Sequence, residues 1–176
     1  ILGTLDGLKS FNMLSGAISS LDEDKEGYPI RKLKVRALLK DSRGRLWIGG
    51  ENGLATYRNT DGQLERCDIQ HNDSPLQSVF VQSIYESTTK LIWIATRTGL
   101  WCYDDKENTF SHYTSADGLA NDIIDGIEED SYGRLWLSTD NGLSCFNPFS
   151  GTFRNFSTSD GLQSNQFNPG SHCRRR

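Results

Sequence analysis

What the sequence lacks narrows it first. Its longest apolar runs, such as residues 91–95, fall far short of the roughly 20 residues a membrane-spanning helix needs, so the chain is not membrane-embedded. Charge is close to balanced at −4, which removes the basic excess expected of a nucleic-acid or anionic-membrane binder. The four cysteines (Cys67, Cys102, Cys145, Cys173) contain no C-x-x-C pair, which argues against a zinc ribbon or a thioredoxin-like centre. The acidic run at 22–27 resembles a calcium loop, but Leu33 stands where the bidentate glutamate belongs. No metal or cofactor is therefore assigned. His71, His112 and His172 fall in a loop, an outer strand and the tail, with no common spacing. No signal peptide is legible, yet the sequence opens inside a repeat, which reads as a piece of a longer product.

What is there is repetition. Residues 130–146 read D-S-Y-G-R-L-W-L-S-T-D-N-G-L-S-C-F; the same sentence recurs at 41–57 and 87–103, and its tail at 3–11. The hairpin glycines Gly7, Gly53, Gly99 and Gly142 are spaced 46, 46 and 43 residues apart. Asn-Gly between apolar runs predicts a hairpin, with both residues at the positive φ of a type I′ turn. No segment keeps helical periodicity, and turn clusters fall every 8–12 residues, so the chain is all-β. Strands are expected at 1–4, 8–11 and 17–21; at 35–40, 45–49, 54–57 and 63–68; at 80–85, 91–96, 100–103 and 109–113; and at 123–128, 134–138, 143–147 and 152–157. Four antiparallel strands at this period fit β-propeller blades, about three complete and one partial. The expected divisions are a partial blade with its connecting loop (1–34), blades at 35–80, 81–123 and 124–168, and a tail at 169–176 that ends in a basic stub.

The repeated residues have a physical reading. Trp47, Trp93 and Trp136 should fill the gaps between blades, each burying on the order of 200 Å². Leu38, Ile84 and Ile127 do the same from the innermost strand. Cys102 and Cys145 share the position of Thr56, as small half-buried strand residues. Gly44 and Gly133 close the first turn of their repeats, but Lys90 replaces them in the third. A non-glycine at positive φ costs about 1 kcal/mol or more, so the turn 87–90 should be built differently. Trp101 departs from the repeat and reads as packing. The adjacent acids Glu128, Glu129, Asp130 and Asp140 read as solvated or turn-capping groups.

In the fourth repeat, Ile124, Ile127, Glu129, Asp130, Gly133, Leu135, Trp136, Thr139, Asn141, Gly142, Leu143 and Phe146 form one motif. Gly151, Phe153, Phe156, Asp160, Gly161, Leu162 and Asn165 continue it. This pattern resembles the two-component regulator propeller repeat, over residues 3 to about 168. The resemblance implies a periplasmic sensor region of a hybrid two-component system of Bacteroidetes type, with an oligosaccharide or other small ligand. It also implies further propeller blades and a kinase region elsewhere in the same protein. The pattern lacks the G-H…W-D signature of WD repeats, and its Asp-to-Gly spacing is one residue longer than in a sialidase-type Asp box.

Candidate binding residues come from columns that vary while the turn persists. Leu5, Glu51, Arg97 and Asp140 precede the Asp6, Asn52, Thr98 and Asn141 column and agree in neither size nor sign. Side chains free to vary on a fixed turn make a rim, and rims carry recognition. Arg36, Gln82 and Asp125 form a second polar column among Val35, Val81 and Ile124. Asn121, Asp122 and Asn165 lie on the connections expected on the same face. Arg97 and Asp140 are the foremost candidates; solvated channel lining is the alternative for the inner column. Three uses stay open: a ligand sensor, a propeller scaffold for protein–protein contact or homodimerisation, and a glycosidase or lyase. No catalytic constellation supports the last.

Overall fold

The computed structural model describes residues 1–21, 23, 34–60, 63–66, 76 and 79–167. The acidic run except Glu23, Leu33, Cys67, His71 and the tail from 168 onward, with His172 and Cys173, lie outside the described residues. The chain divides into two compact units, Ile1–Val81 and Gln82–Arg176, each holding two sheets.

In the first unit, β1 (Leu2–Thr4), β2 (Gly7–Phe11) and β3 (Ile18–Leu21) form a three-stranded antiparallel sheet. A four-stranded sheet follows, from β4 (Val35–Lys40), β5 (Arg45–Gly50), β6 (Gly53–Thr60) and β7 (Gln63–Arg66). Period-2 alternation turns Leu8 of the first sheet onto Val35, Ile48, Tyr57 and Leu64 of the second, forming one core between them.

The second unit repeats the plan with β8 (Val81–Glu86), β9 (Ile92–Thr96), β10 (Gly99–Asp104) and β11 (Thr109–Tyr113). Its other sheet is β12 (Ile124–Glu129), β13 (Leu135–Thr139), β14 (Gly142–Asn147) and β15 (Thr152–Phe156). Trp93, Leu100 and Cys102 of the third sheet meet Ile127, Leu135, Leu137 and Phe146 of the fourth. The Trp93 and Phe146 rings pack edge to face at 5.7 Å.

The repeat position of each tryptophan is kept by register: Trp47 faces Thr56, Trp93 faces Cys102 and Trp136 faces Cys145. Trp47 and Trp93 are fully buried, as expected, but Trp136 is only half-buried. Its ring neighbours come from its own sheet, with Phe156 stacked at 5.6 Å. No sheet among the described residues covers that face. Leu38 is likewise half-buried, whereas Ile84 and Ile127 are buried. Cys102 and Cys145 are free and buried, and desolvation pushes the Cys102 thiol up to about 12. Trp101 is half-buried and stacks on His112 at 3.8 Å.

Two turn expectations are corrected. Gly53, Gly99 and Gly142 have φ of 114, 116 and 102°, but Asn52 and Asn141 do not share the positive φ of a type I′ turn. Instead, Thr139 donates its hydroxyl to the Gly142 carbonyl and accepts from the Asn141 amide. Thr96 does the same for Gly99 and Thr98. A threonine clamp before the loop thus holds the third- and fourth-sheet hairpins with one left-handed residue, while Gly50 stands at that place before Gly53. Glycine is required at the left-handed position, since a Cβ on Gly142 would come within 2.4 Å of the Phe156 carbonyl. The second correction is that Lys90 takes φ 70°, beside 81° at Gly44 and 76° at Gly133. The third turn is built like the others, with the lysine in the left-handed position.

Candidate functional site

The polar columns gather where the inner strands begin and the hairpins turn. Register shifts between Val35 and Ala37, and between Ile124 and Gly126, leave Arg36 and Asp125 as the extra residues of two β-bulges. A bulge bends its strand and re-aims the extra side chain. That is how a polar group enters a row of otherwise packed residues.

In the first unit the candidates pair with each other. Glu51 accepts from Arg36 Nη2 at 2.8 Å and from Lys34 Nζ at 2.9 Å. Hydrogen bonds from Arg36 and then Lys34 hold its carboxyl below the usual range. The rim there is therefore a paired cluster of three charges, two cations on one carboxylate.

The second unit brings Gln82, Arg97, Asp125 and Asp140 together. Gln82 Nε2 donates to Asp125 Oδ1 at 3.1 Å, while Asp125 Oδ2 is buried with no hydrogen-bond partner. Desolvation raises the Asp125 pKa, and the Asp140 charge adds to this; the Gln82 bond and the Arg97 charge oppose it. Arg97 and Asp140 are exposed, so they form the open side of this cluster.

Asn121, Asp122 and Asn165 sit beside these turns, but their side chains hold loops. Asn121 Oδ1 accepts the Ile123 amide, and Asp122 Oδ1 accepts the Ser115 amide at 2.6 Å. Asn165 Oδ1 accepts the Thr158 amide at 2.8 Å. The backbone tie is also repeated: the Gly99 amide donates to the Asp122 carbonyl and the Gly142 amide to the Asn165 carbonyl. Each hairpin is thereby fastened to the connection that leaves its sheet. The residues that shape this connection, Thr114 with Asp117 and Ser157 with Asp160, form capping boxes that the sequence reading missed. Their T/S-x-x-D spacing was the available signal.

Glu129 also departs from its reading as a solvated acid. It is buried and accepts from the Thr88 amide at 2.9 Å, the Thr88 hydroxyl at 2.8 Å and the Tyr85 hydroxyl at 3.2 Å. It ties the fourth sheet to the third. Asp130 does cap its turn, accepting from the Tyr132 and Arg134 amides. Among the described residues no three His, Cys, Asp or Glu side chains cluster as metal ligands. No helix among them is long and apolar enough to cross a membrane. The rim offers hydrogen-bond donors and acceptors with charges of both signs.

Fold and site together define a series of β-propeller-type blades with a polar rim on the hairpin side. Residues 30–52 and 118–141 match the family described as "Two component regulator propeller", and the chain carries repeats of that kind. It is similar to the extracellular domain of BT3049 from B. thetaiotaomicron, described as a hybrid two component system. The two are 26% identical with a TM-score of 0.77, over 96% of this chain and 23% of that one. A second similar structure is the extracellular domain of BT4673 from the same organism, at 23% identity and TM-score 0.72, over 93% of this chain and 22% of that one. The chain thus spans less than a quarter of either. Virginiamycin B lyase from Staphylococcus aureus shares the fold at 19% identity and TM-score 0.57, over 86% of this chain and 48% of that one. No curated protein matches the sequence.

Proposed function

We propose that these blades are a ligand-sensing segment of a two-component receptor, exposed to the periplasm, with an oligosaccharide as the ligand. The blade divisions at residues 34/35, 80/81 and 123/124 belong to this reading, as does a kinase region elsewhere in the receptor. Its role is recognition; chemistry on the ligand is not part of it. One observation carries the proposal: Asp125, placed on a bulge, keeps a buried oxygen without a donor beside exposed Arg97 and Asp140. A buried acceptor left unsatisfied costs about 1–3 kcal/mol, and a sugar hydroxyl is a donor of the right kind. The likeness to extracellular sensor domains supports the same class of use.

The test is calorimetry with a panel of oligosaccharides on the receptor that contains these blades. Arg97→Ala and Asp140→Ala should each weaken binding at least tenfold, about 1.4 kcal/mol. Unchanged affinity in both variants would remove the site from this rim.

A further inference from the structure

The second and fourth sheets build their rims on one backbone plan and give them opposite charge. In the second, the Glu51 amide donates to the Lys34 carbonyl at 3.3 Å; in the fourth, the Asp140 amide donates to the Ile123 carbonyl at 3.1 Å. Two residues past that carbonyl, Arg36 or Asp125 is the extra residue of a β-bulge. Lys34, Arg36 and Glu51 therefore correspond in place to Ile123, Asp125 and Asp140.

What fills those places differs. Lys34 Nζ and Arg36 Nη2 lie 2.9 and 2.8 Å from Glu51, so the second sheet supplies two cations to its rim carboxylate. The fourth sheet supplies neither: an isoleucine stands for the lysine and a second carboxylate for the arginine. Asp125 is 5% exposed, and its Oδ2 has no hydrogen-bond partner. The Asp140 charge works against its ionisation, and Arg97 relieves it through charge alone, without a hydrogen bond. Among the described residues no third ligand completes a metal set. The demand is for a cation that brings its own N–H donors. An ammonium group carries three of them, and its bonds to a carboxylate are roughly twice as strong as neutral ones.

We propose that the Asp125 and Asp140 end of the rim takes the ammonium group of an amino sugar, in the place that Lys34 and Arg36 fill beside Glu51. Exposed Asp140 receives the ammonium. Asp125 adds its charge, with its carboxylate oriented by the Gln82 bond to Oδ1. The inference rests on the oligosaccharide-sensor reading and narrows its ligand to one that bears a free amine.

The test is calorimetry on the receptor that contains these blades, with a glucosamine tetramer and its fully N-acetylated twin, at about pH 6 where an amine is protonated. The two probes differ only in the charge and the acetyl groups. The free amine should bind about tenfold tighter or more. Asp140→Asn and Asp125→Asn should each erase that preference. Ile123→Lys keeps both carboxylates but gives the fourth sheet the cation that the second already has, and it should erase the preference too. Equal affinity for the two tetramers, or a preference that survives all three substitutions, would overturn the proposal. If a neutral oligosaccharide bound through Arg97 and Asp140 while the amine brought no gain, this inference would fail and the sensor reading would stand. If no oligosaccharide bound at all, both would fail.

Discussion

The first turns of the second, third and fourth sheets share a backbone but are held in two different ways. Gly44, Lys90 and Gly133 each donate an amide to the carbonyl three residues back, at 3.0, 2.9 and 3.1 Å. In the second and fourth sheets one aspartate organises the turn from inside. Asp41 Oδ1 accepts the Arg43 and Arg45 amides, while Oδ2 takes Arg45 Nε at 2.7 Å and Trp47 Nε1 at 2.8 Å. Asp130 repeats this with Tyr132, Arg134 and Trp136. Ser87 is too short to do so. Its hydroxyl accepts the Leu91 amide and pairs with the Thr89 hydroxyl at 2.8 Å, while Trp93 Nε1 is buried without a partner. The fourth sheet supplies the missing clamp through Glu129, which grips Thr88 from outside. A turn geometry can thus survive loss of its own side-chain scaffold when a neighbouring blade replaces it.

The largest test of this comparison is the tryptophan that follows each turn. Trp93→Ala should cost about 3–5 kcal/mol, the usual range for a fully buried aromatic. Trp136→Ala should cost less, about 1–2 kcal/mol, because part of its surface is already in water. Urea midpoints measured at constant slope would separate the two; coincident midpoints would mean that Trp136 is covered in solution.

Next comes the outside clamp. Glu129→Ala leaves the Tyr85 and Thr88 donors without their acceptor and should cost about 1–3 kcal/mol. Hydrogen exchange should then quicken at residues 87–91 while the turn at 130–134 keeps its protection. Equal loosening of both turns would show that Glu129 stabilises the unit generally.

The inside clamp is readable in acid. Burial tends to raise the Asp130 pKa, but the bonds from Trp136, Arg134 and Tyr132 outweigh it and hold it at about 2. A depressed pKa stabilises the fold above the unfolded value near 4 and loses that contribution as pH falls toward 2. Asp130→Asn should therefore flatten the acid limb of stability between about pH 4 and 2. Asp125 has the opposite sign. Its raised pKa favours the fold below the unfolded value and works against it as pH rises through the folded one, so Asp125→Asn should stabilise modestly at neutral pH.

Much of this architecture was legible because turn glycines and period-2 alternation are local. β4 and β11 fall on their predicted limits, and other strand ends moved by up to three residues. What escaped reading depends on neighbours. Trp136 carries the same motif as Trp93, and only the sheet packed against it decides burial. The Arg36–Glu51 pair arises from a bulge that no residue type announces. The columns Arg97 and Asp140, Gln82 and Asp125 were visible as variation, but their convergence required the fold. Asn-Gly announced a hairpin correctly and its turn type wrongly; at Asn141 the threonine before the loop sets the hydrogen bonds.

The smallest expected effect tests the position that departs from glycine. Lys90 holds φ 70°, which costs a side-chain-bearing residue roughly 1–2 kcal/mol. Its ion pair with Glu86 spans 3.9 Å at the surface and is worth little. Lys90→Gly removes the strain but adds freedom to the unfolded chain, a loss of about 0.4–1 kcal/mol. The net gain should be about 0.5–1 kcal/mol, seen as a higher urea midpoint with an unchanged slope. Gly44→Lys is the mirror substitution. Nothing lies within 4 Å of a Cβ at Gly44, so its cost should be backbone strain alone, of similar size and opposite sign. If Lys90→Gly lowered the midpoint instead, the lysine stem would be contributing contacts that outweigh its strained backbone. The third turn would then be stabilised by its own residue as well as by the clamp from the next blade.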